Sequence, residues 1–596
     1  MQPEYSQKLS RLISIGATSV FLFLAILLIV SKMTVWGNIP PAVDIFISSI
    51  LTLCLVYFHG GLSSIRTALI SILLFFLFIF LWASVTSPLY SPGDDEYAYH
   101  LPAIWDFAKG WNPLLSPHNN IWVDSYPNGY WALQSYIVAL TGNLLSGQSL
   151  MVSLMVTTAI LTFGFLREQL SGITPKYSNL ISLVLAGIIV GNPIVLTQIL
   201  THYTDAPLYL MGCALVIFLM TDVLRTNRLA KWGVISCIIL LVNTKTANLY
   251  YVPIIVIGGF IMDLVVNRSE ANLTKRGFNW IISKGVIYGA VFVLAVVIIG
   301  YKPYITNMQD HLAFMYPAIN EIMSSNIPNN VKNVSSPVKF FYGVFGETGP
   351  TRWPYPFDSQ IYLKIPGTFN IEEFKYLRFD TRRGGFGPFF SLALITSIIA
   401  FISCRLVCVR DPRDSELRRG DGIAVLAAIL LLMSMFFPES WWARYIPFAW
   451  LSVVLFFIAT LFLNCRDKAL VFLRALQLLA LLSFMLCILA GITGAARQLV
   501  RVDRLTSSII AEKDFPEIKS YIETDNRITL DHQSKSVTDA VSVWGTLLRR
   551  EGVNLRPTGE QPLQNLDECH SAGWLEGLVF WCAPKTTDKL STEESN

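Results

Sequence analysis

The apolar run Thr67–Val85 (TALISILLFFLFIFLWASV), followed by Ser91-Pro92-Gly93-Asp94-Asp95-Glu96-Tyr97-Ala98-Tyr99-His100-Leu101-Pro102, sets the reading of the chain. The run carries no charge, and as a helix it is long enough to cross a hydrocarbon core about 30 Å thick. Directly after it stand three carboxylates in a row. A charge is costly at membrane depth, so acids at such an edge face water, a cation or a polar substrate. Beyond them Leu101, Ile104, Trp105 and Ala108 recur at helical spacing, with Asp106 and Lys109 on other faces. That pattern predicts a short helix lying in the interface plane. A solvated loop closing on a helix N-terminus, where acids favour the dipole, accounts for the same acids without a site.

The rest of the chain repeats the theme. It has 596 residues, 53% hydrophobic and 14% charged, with mean hydropathy +0.51. A soluble domain carries roughly 25% charged residues. Apolar blocks fall at 12–30, 43–58, 67–86, 149–166, 179–200, 207–223, 232–243, 249–265, 285–300, 388–406, 422–437, 446–464 and 470–493. The expected fold is therefore mainly α, a polytopic bundle of about thirteen transmembrane helices. The block Leu12–Val30 is too long for the apolar region of a signal peptide and lacks a small-residue cleavage site, so a first span is expected there. Asn128–Leu140 is apolar and aromatic but short, which fits a re-entrant or interfacial helix, keeping the span count odd, better than half of a hidden pair of spans. The net charge of +4 says less than its distribution.

Basic residues gather in alternate loops: Lys8 and Arg11; Arg66; Arg167 and Lys176; Arg225, Arg228 and Lys231; Arg268, Lys275 and Arg276; Arg405, Arg410, Arg413, Arg418 and Arg419; and Arg466, Lys468 and Arg474. That bias marks the cytoplasmic side. The Asp94–Glu96 loop, Thr201–Ala206, Tyr301–Pro388, Pro438–Arg444 and the tail then fall on the outer face. The expected division is a membrane body, 1–493, with outer loops 87–148 and 301–388, and an extracytoplasmic tail, 494–596, large enough for a small α/β unit with a strand near Arg527–Leu530. Most cysteines sit in or beside apolar blocks as packing residues. Cys569 and Cys582 lie in the tail, where a disulfide, worth up to ~3 kcal/mol on the chain-entropy argument, and two free thiols are the alternatives.

The outer loops hold the residues with chemistry. Asp205, in Tyr203-Thr204-Asp205-Ala206-Pro207-Leu208, stands between two apolar spans; its structural role would be to cap the following helix. Lys245, in Asn243-Thr244-Lys245-Thr246, either snorkels to the interface or binds a phosphate. The long loop contains Tyr301-Lys302-Pro303-Tyr304-Ile305-Thr306-Asn307 and closes with Asp380-Thr381-Arg382-Arg383-Gly384-Gly385-Phe386-Gly387-Pro388. Arg382 and Arg383 beside glycines suit close backbone approach to an anionic or sugar ligand, or a flexible re-entry turn. In Glu439-Ser440-Trp441-Trp442-Ala443-Arg444-Tyr445-Ile446-Pro447 the aromatics fit an interfacial belt, and the Arg444 fork suits a phosphate. The sequence has no paired His or Cys metal motif, no Walker loop and no G-x-S-x-G elbow, which sets aside ATP-driven transport and serine hydrolysis.

Taken together, these residues resemble the bacterial GT-C glycosyltransferases of the protein mannosyltransferase and aminoarabinose transferase type. The resemblance covers roughly residues 64–493 and rests on an Asp-Glu-x-x-Tyr element at Asp95-Glu96-Tyr97-Ala98-Tyr99, followed by His100-Leu101-Pro102, on Asp205, on Lys245, and on Arg444-Tyr445-Ile446-Pro447. The acidic loop follows the third span here, where many such enzymes have it after the first; two additional N-terminal spans preserve its sidedness. The resemblance implies transfer of a monosaccharide from a polyprenyl-phosphate donor to a cell-surface glycan, lipid or protein acceptor, on the outer face of a bacterial inner membrane. It implies Asp95, or Asp94, as the catalytic base. Glu96, Asp94 or Asp205 would orient the acceptor or hold a divalent cation (Mg or Mn), and Lys245 and Arg444 would receive the phosphate, with Tyr99, His100, Arg382 and Arg383 lining the substrate site. The competing readings are a transporter or flippase and a polymerase or ligase of lipid-linked glycans.

Overall fold

The computed structural model describes residues 2–34, 39–225, 228–268, 272–317, 327–349, 360–407, 414–463, 470–515, 518–522, 530–557, 569–576 and 579–584. Among them, eight helices are long and apolar enough to cross a membrane. The fold is mainly helical with one small C-terminal sheet.

Helix α1 (Gln2–Thr34) lies along α2 (Pro41–Thr86). α2 takes in two of the expected spans without a loop between them. It is broken at Gly61, whose φ of 71° and ψ of −172° a side chain would resist. In its second arm Ala68, Ile72, Phe75, Ile79 and Ala83 are buried at helical spacing, while Leu69, Leu73, Leu74, Leu77 and Leu81 are exposed. A helix apolar on both its packed and its open face is suited to lipid rather than water.

The acidic segment follows as a π-helical turn, Glu96–His100, which leads into α3 (Leu101–Ala108). Then come α4 (Ile121–Ser125) and α5 (Gly129–Thr141). α5 corresponds to the short aromatic block and is buried from Gly129 through Ser135, with α3 packed on it. α6 (Ser149–Leu170) and α7 (Ser178–Val190) pair, and Gly191-Asn192 separates α7 from the one-turn α8 (Pro193–Thr197).

α9 (Asp205–Arg225) is the central helix. It is apolar all round, and 94% of its most apolar window is buried, against 28% for α2. Around it stand α10 (Arg228–Val242) and α11 (Asn248–Val266). α12 (Leu273–Trp280) and α13 (Val286–Leu294) belong to one apolar stretch, Leu273–Ile299, of which only 17% of the corresponding window is covered. The long loop carries α14 (Thr306–His311), α15 (Ser336–Phe345) and α16 (Glu373–Tyr376). α17 (Phe390–Val407), α18 (Ser415–Met435) and α19 (Phe448–Phe462) complete the bundle. The expected spans fall on helices except 179–200, which is split between α7 and α8 and ends in a turn. α7, α10 and α19 are shorter than a full crossing, and α18 carries Arg418, Arg419 and Asp421 in its first two turns.

α20 (Leu470–Ile510) runs on through Gly494 as a 41-residue helix. Beyond it β1 (Ile518–Ile522), α21 (Leu530–Leu548), β2 (Leu555–Pro557), β3 (Cys569–Leu575) and β4 (Val579–Pro584) form a sheet of order β2-β1-β4-β3. β1 and β2 are parallel, joined by α21, and the other pairs are antiparallel. Cys569 and Cys582 are joined by a disulfide. The strand expected near Arg527–Leu530 lies outside the described residues except for Leu530, the first residue of α21.

Candidate functional site

Three short connections bring charges to one point: the start of α9, the turn before α11, and the turn between α18 and α19. Asp205 opens α9. The next amide, on Ala206, is capped by Gln198 Oε1 at 3.0 Å, which leaves the Asp205 carboxylate for other partners. One of its oxygens accepts from Lys245 Nζ; the other accepts from Arg444 Nε at 3.1 Å and Gln198 Nε2 at 3.2 Å. Arg444 Nη1 donates to Asp380 Oδ1 at 2.9 Å. Asp380 Oδ2 accepts from Arg382 Nε at 3.1 Å. The result is an alternating row: Lys245, Asp205, Arg444, Asp380, Arg382.

Aromatic rings wall the row. The Arg444 guanidinium lies 5.0 Å from the Trp442 ring, 5.4 Å from Tyr203 and 5.6 Å from Tyr445. Lys245 Nζ is 4.6 Å from the Tyr445 ring, and Arg382 is 4.7 Å from Trp442. Such faces attract cations, more strongly where water is excluded. Burial pulls Lys245 below the usual ammonium range, against the opposing pull of Asp205.

Asp95 stands beside this row without belonging to it. Its Oδ2 is 3.8 Å from Arg444 Nη2, beyond hydrogen-bond range, and 41% of its side-chain surface is open. The enclosing walls push its carboxyl up to about 6; Arg444 opposes the shift, Asp380 and Asp94 add to it, and a hydrogen bond from Tyr99 holds it down. It is thus an accessible carboxylate with its proton affinity raised towards neutrality.

The other acids of the triple take different roles. Glu96 is fully buried; its oxygens accept the His202 backbone N–H at 2.9 and 3.1 Å, and the His202 ring bonds to it as well. It anchors the loop that carries Asp205 and offers no open oxygen to a substrate. Asp94 is exposed and turns to the tail. There it bonds to Glu576, which burial first and then Asp94 push up to about 8. Glu576 also pairs with Arg501 at 3.3 Å. The tail grips the same segment through Trp544, stacked 4.3 Å from the Tyr97 ring, and, one step removed, through Asp539, which accepts at 2.9 Å from Asn120, whose amide also donates to the Ala98 carbonyl at 3.0 Å.

His100 is 2% exposed, and its Nδ1 accepts from Trp131 Nε1 at 2.8 Å. Burial holds it well below the usual imidazole range, so it is a neutral ring behind the site. Arg383 turns aside to the Gln360 carbonyl at 2.8 Å and does not join the row. The glycines beside it also differ from expectation. A Cβ on Gly384 (φ +57°) would meet the backbone of Gly346 and Thr348 at 2.8 Å, and one on Gly385 would meet Ala443 at 2.7 Å. The close approach they permit is protein on protein, seating the Arg444 turn.

Asp380, Tyr203, Trp442, Tyr445 and Glu576 are site residues beyond the sequence candidates. Asp380 stands two residues before Arg382, a spacing that carries no ion-pair signal by itself; the loop's conformation brings the two together. Gly93, at φ +121° with Tyr203 Oη 2.8 Å from its Cβ position, signals a ring packed on the acidic turn. Among the described residues no group of three or more His, Cys, Asp or Glu side chains could hold a metal ion, and the clustered acids here face a guanidinium and an ammonium. No family model matches this chain, and no curated protein or solved structure matches it either.

Proposed function

We propose that the chain is an integral-membrane glycosyltransferase of GT-C type, moving a monosaccharide from a polyprenyl-phosphate donor to an extracytoplasmic acceptor with inversion. The observation that carries this reading is the convergence of Asp95, Asp205, Asp380, Lys245 and Arg444, from five separate connections, on one aromatic-walled point. Basic residues in alternate loops support an outer position for that point, on a bacterial inner membrane.

The chemistry follows from the geometry. An acceptor hydroxyl beside Asp95 gives its proton to the carboxylate as its oxygen attacks the anomeric carbon. The new glycosidic C–O bond forms while the C–O bond to the carrier phosphate breaks, its electron pair leaving on the phosphate oxygen. A base with affinity near the operating pH suits such a step, typically worth ~10²–10⁴ in rate. The row supplies preorganised positive charge in a poorly hydrated wall. Arg444 Nη2, too far from Asp95 to bond it, is the donor best placed for the departing phosphate. Lys245 and Arg382 are each neutralised by a carboxylate and hold Arg444's partners in place.

The test is incubation of the purified protein with a panel of polyprenyl-phosphate monosaccharides. Release of free polyprenyl phosphate with one of them supports transfer. Movement of intact donor across a vesicle membrane, with no release, would replace this reading by a flippase.

A further inference from the structure

A second site lies apart from the charged row. A cavity of about 650 Å³ opens between the C-terminal end of α1, the start of α2, the turn after α3, and α5. Lys32, Thr34, Asp44, Trp111, Tyr136 and Lys302 line it, and the remaining wall is mostly aliphatic and aromatic. No residue of the row is among them.

The polar groups in this cavity are unequally satisfied. Lys302 is spent, donating to Asp124 Oδ1 at 2.9 Å and to the Pro113 carbonyl at 3.0 Å. Lys32 donates to the Asn128 side-chain oxygen and lies 5.9 Å from the Phe107 ring centre; no carboxylate among the described residues pairs with it. Asp44 is only 4% exposed. Its Oδ2 accepts from Thr34 at 2.9 Å and Tyr136 at 2.5 Å, while Oδ1, shielded from water, has no partner among the described residues. A cavity thus holds a cation without an anion and a carboxylate oxygen without a donor, and the two do not pair with each other. An unmet buried oxygen is costly, and a charge-assisted bond to it is correspondingly strong.

We propose that this cavity binds a glycerophospholipid with a phosphoethanolamine headgroup. The phosphate neutralises Lys32. The primary ammonium carries the N–H that Asp44 Oδ1 lacks, which neither choline nor a glycerol headgroup combines with positive charge. The rings of Trp111 and Tyr136 sit where aromatic side chains favour the headgroup layer. The open apolar surface of Ile298 beside the mouth, 64% exposed, suits an acyl chain.

The experiment is native mass spectrometry of the full-length, delipidated protein with phosphatidylethanolamine, phosphatidylcholine and phosphatidylglycerol of identical acyl chains. Phosphatidylethanolamine is expected to be retained about tenfold over the other two, the ratio one charge-assisted bond provides. Lys32→Gln should weaken retention of all three lipids about tenfold, and Asp44→Asn, which keeps an acceptor oxygen but removes its charge, should erase the preference over phosphatidylglycerol while leaving the preference over phosphatidylcholine. Equal retention of the three lipids, or no change on Lys32→Gln, would overturn the proposal. Lys32 makes one side-chain hydrogen bond, so its variant keeps the test decisive if Asp44→Asn misfolds.

Discussion

α9, α11 and α18 carry ions at both ends, and the two ends are built differently. At one end Asp222 pairs with Lys284 at 2.6 Å, Asp263 with Arg276 at 2.8 Å, and Asp421 with Arg268 at 2.9 Å and Arg405 at 3.1 Å. At the other, Asp205, Lys245 and Arg444 form the row. α11 alone, 19 residues long, separates the two groups by about 28 Å. In the first group every carboxylate has at least one cation of its own. In the second, Asp205 has Lys245, Asp380 has Arg382, and the two acids share Arg444. Among the described residues Asp95 has no cation of its own: it stands 3.8 Å from Arg444 and takes a hydrogen bond from Tyr99. Satisfied pairs fasten helices together. An acid left short of a partner, in a recess that raises its proton affinity, is where chemistry is to be sought.

The largest effect separating the ends should come from Asp95→Asn. The change keeps shape and removes the base, so release of polyprenyl phosphate should fall ~10²–10⁴-fold while the protein elutes and melts as before. Near wild-type turnover would strip Asp95 of its role. The same carboxyl sets a pH profile: a base must be ionised, so kcat/KM should rise with pH through about 6 and level off above it. Arg444→Lys should come next, at about 10²-fold, because an ammonium keeps the charge but cannot face Asp205, Asp380 and a phosphate together. An equal loss on replacing Arg405 would abolish the contrast between the ends.

Glu576 sharpens the comparison from the tail side. Its carboxyl is pushed up from 4.5 to about 8. A folded state that holds a proton more tightly than the unfolded chain loses stability as pH rises between those two values. Thermal unfolding of the wild type should therefore fall in midpoint across that window, and Glu576→Gln, which mimics the protonated form, should flatten the fall. Parallel curves for the two proteins would show that Glu576 and Asp94 do not share a proton.

Much of the bundle was legible because apolar blocks and basic loops are one-dimensional signals. The helix break at Gly61 was not, since Arg66 suggested a loop and only the backbone angles reveal a kink within one continuous helix. At the site, Asp95, Asp205, Lys245 and Arg444 could be picked out as charges at the ends of apolar runs. Which charge meets which could not, because Asp205 meets Lys245 at a separation of 40 positions and Arg444 at 239, and Asp380 meets Arg444 at 64, contacts made only by the packing of α8, α9 and the long loop. Glu96 misled for the same reason: beside Asp95 in sequence it looks equivalent, yet the π-helical turn sends it inward to His202. The glycines after Arg383 were legible as a close approach but not as an approach to Ala443.

The smallest effect is the control that gives the others meaning. Asp421 holds two arginines whose side chains are 34% and 41% exposed. Asp421 itself is 8% exposed, but water reaches both arginine ends and screens the pairs, which places them near the upper end of the roughly 0.2–1 kcal/mol that exposed pairs are worth. Asp421→Asn should therefore lower the unfolding midpoint by only a few degrees, and transfer activity should stay within about twofold of wild type, because these pairs lie at the far end of the helices from Asp95 and change stability without touching the reacting groups. The same isosteric change at Asp95 is expected to do the reverse, sparing the midpoint and removing the rate. If Asp421→Asn also silenced transfer, ion pairs at both ends would be acting through the rigidity of α18, and the row beside Asp95 would lose its claim to be the reacting centre.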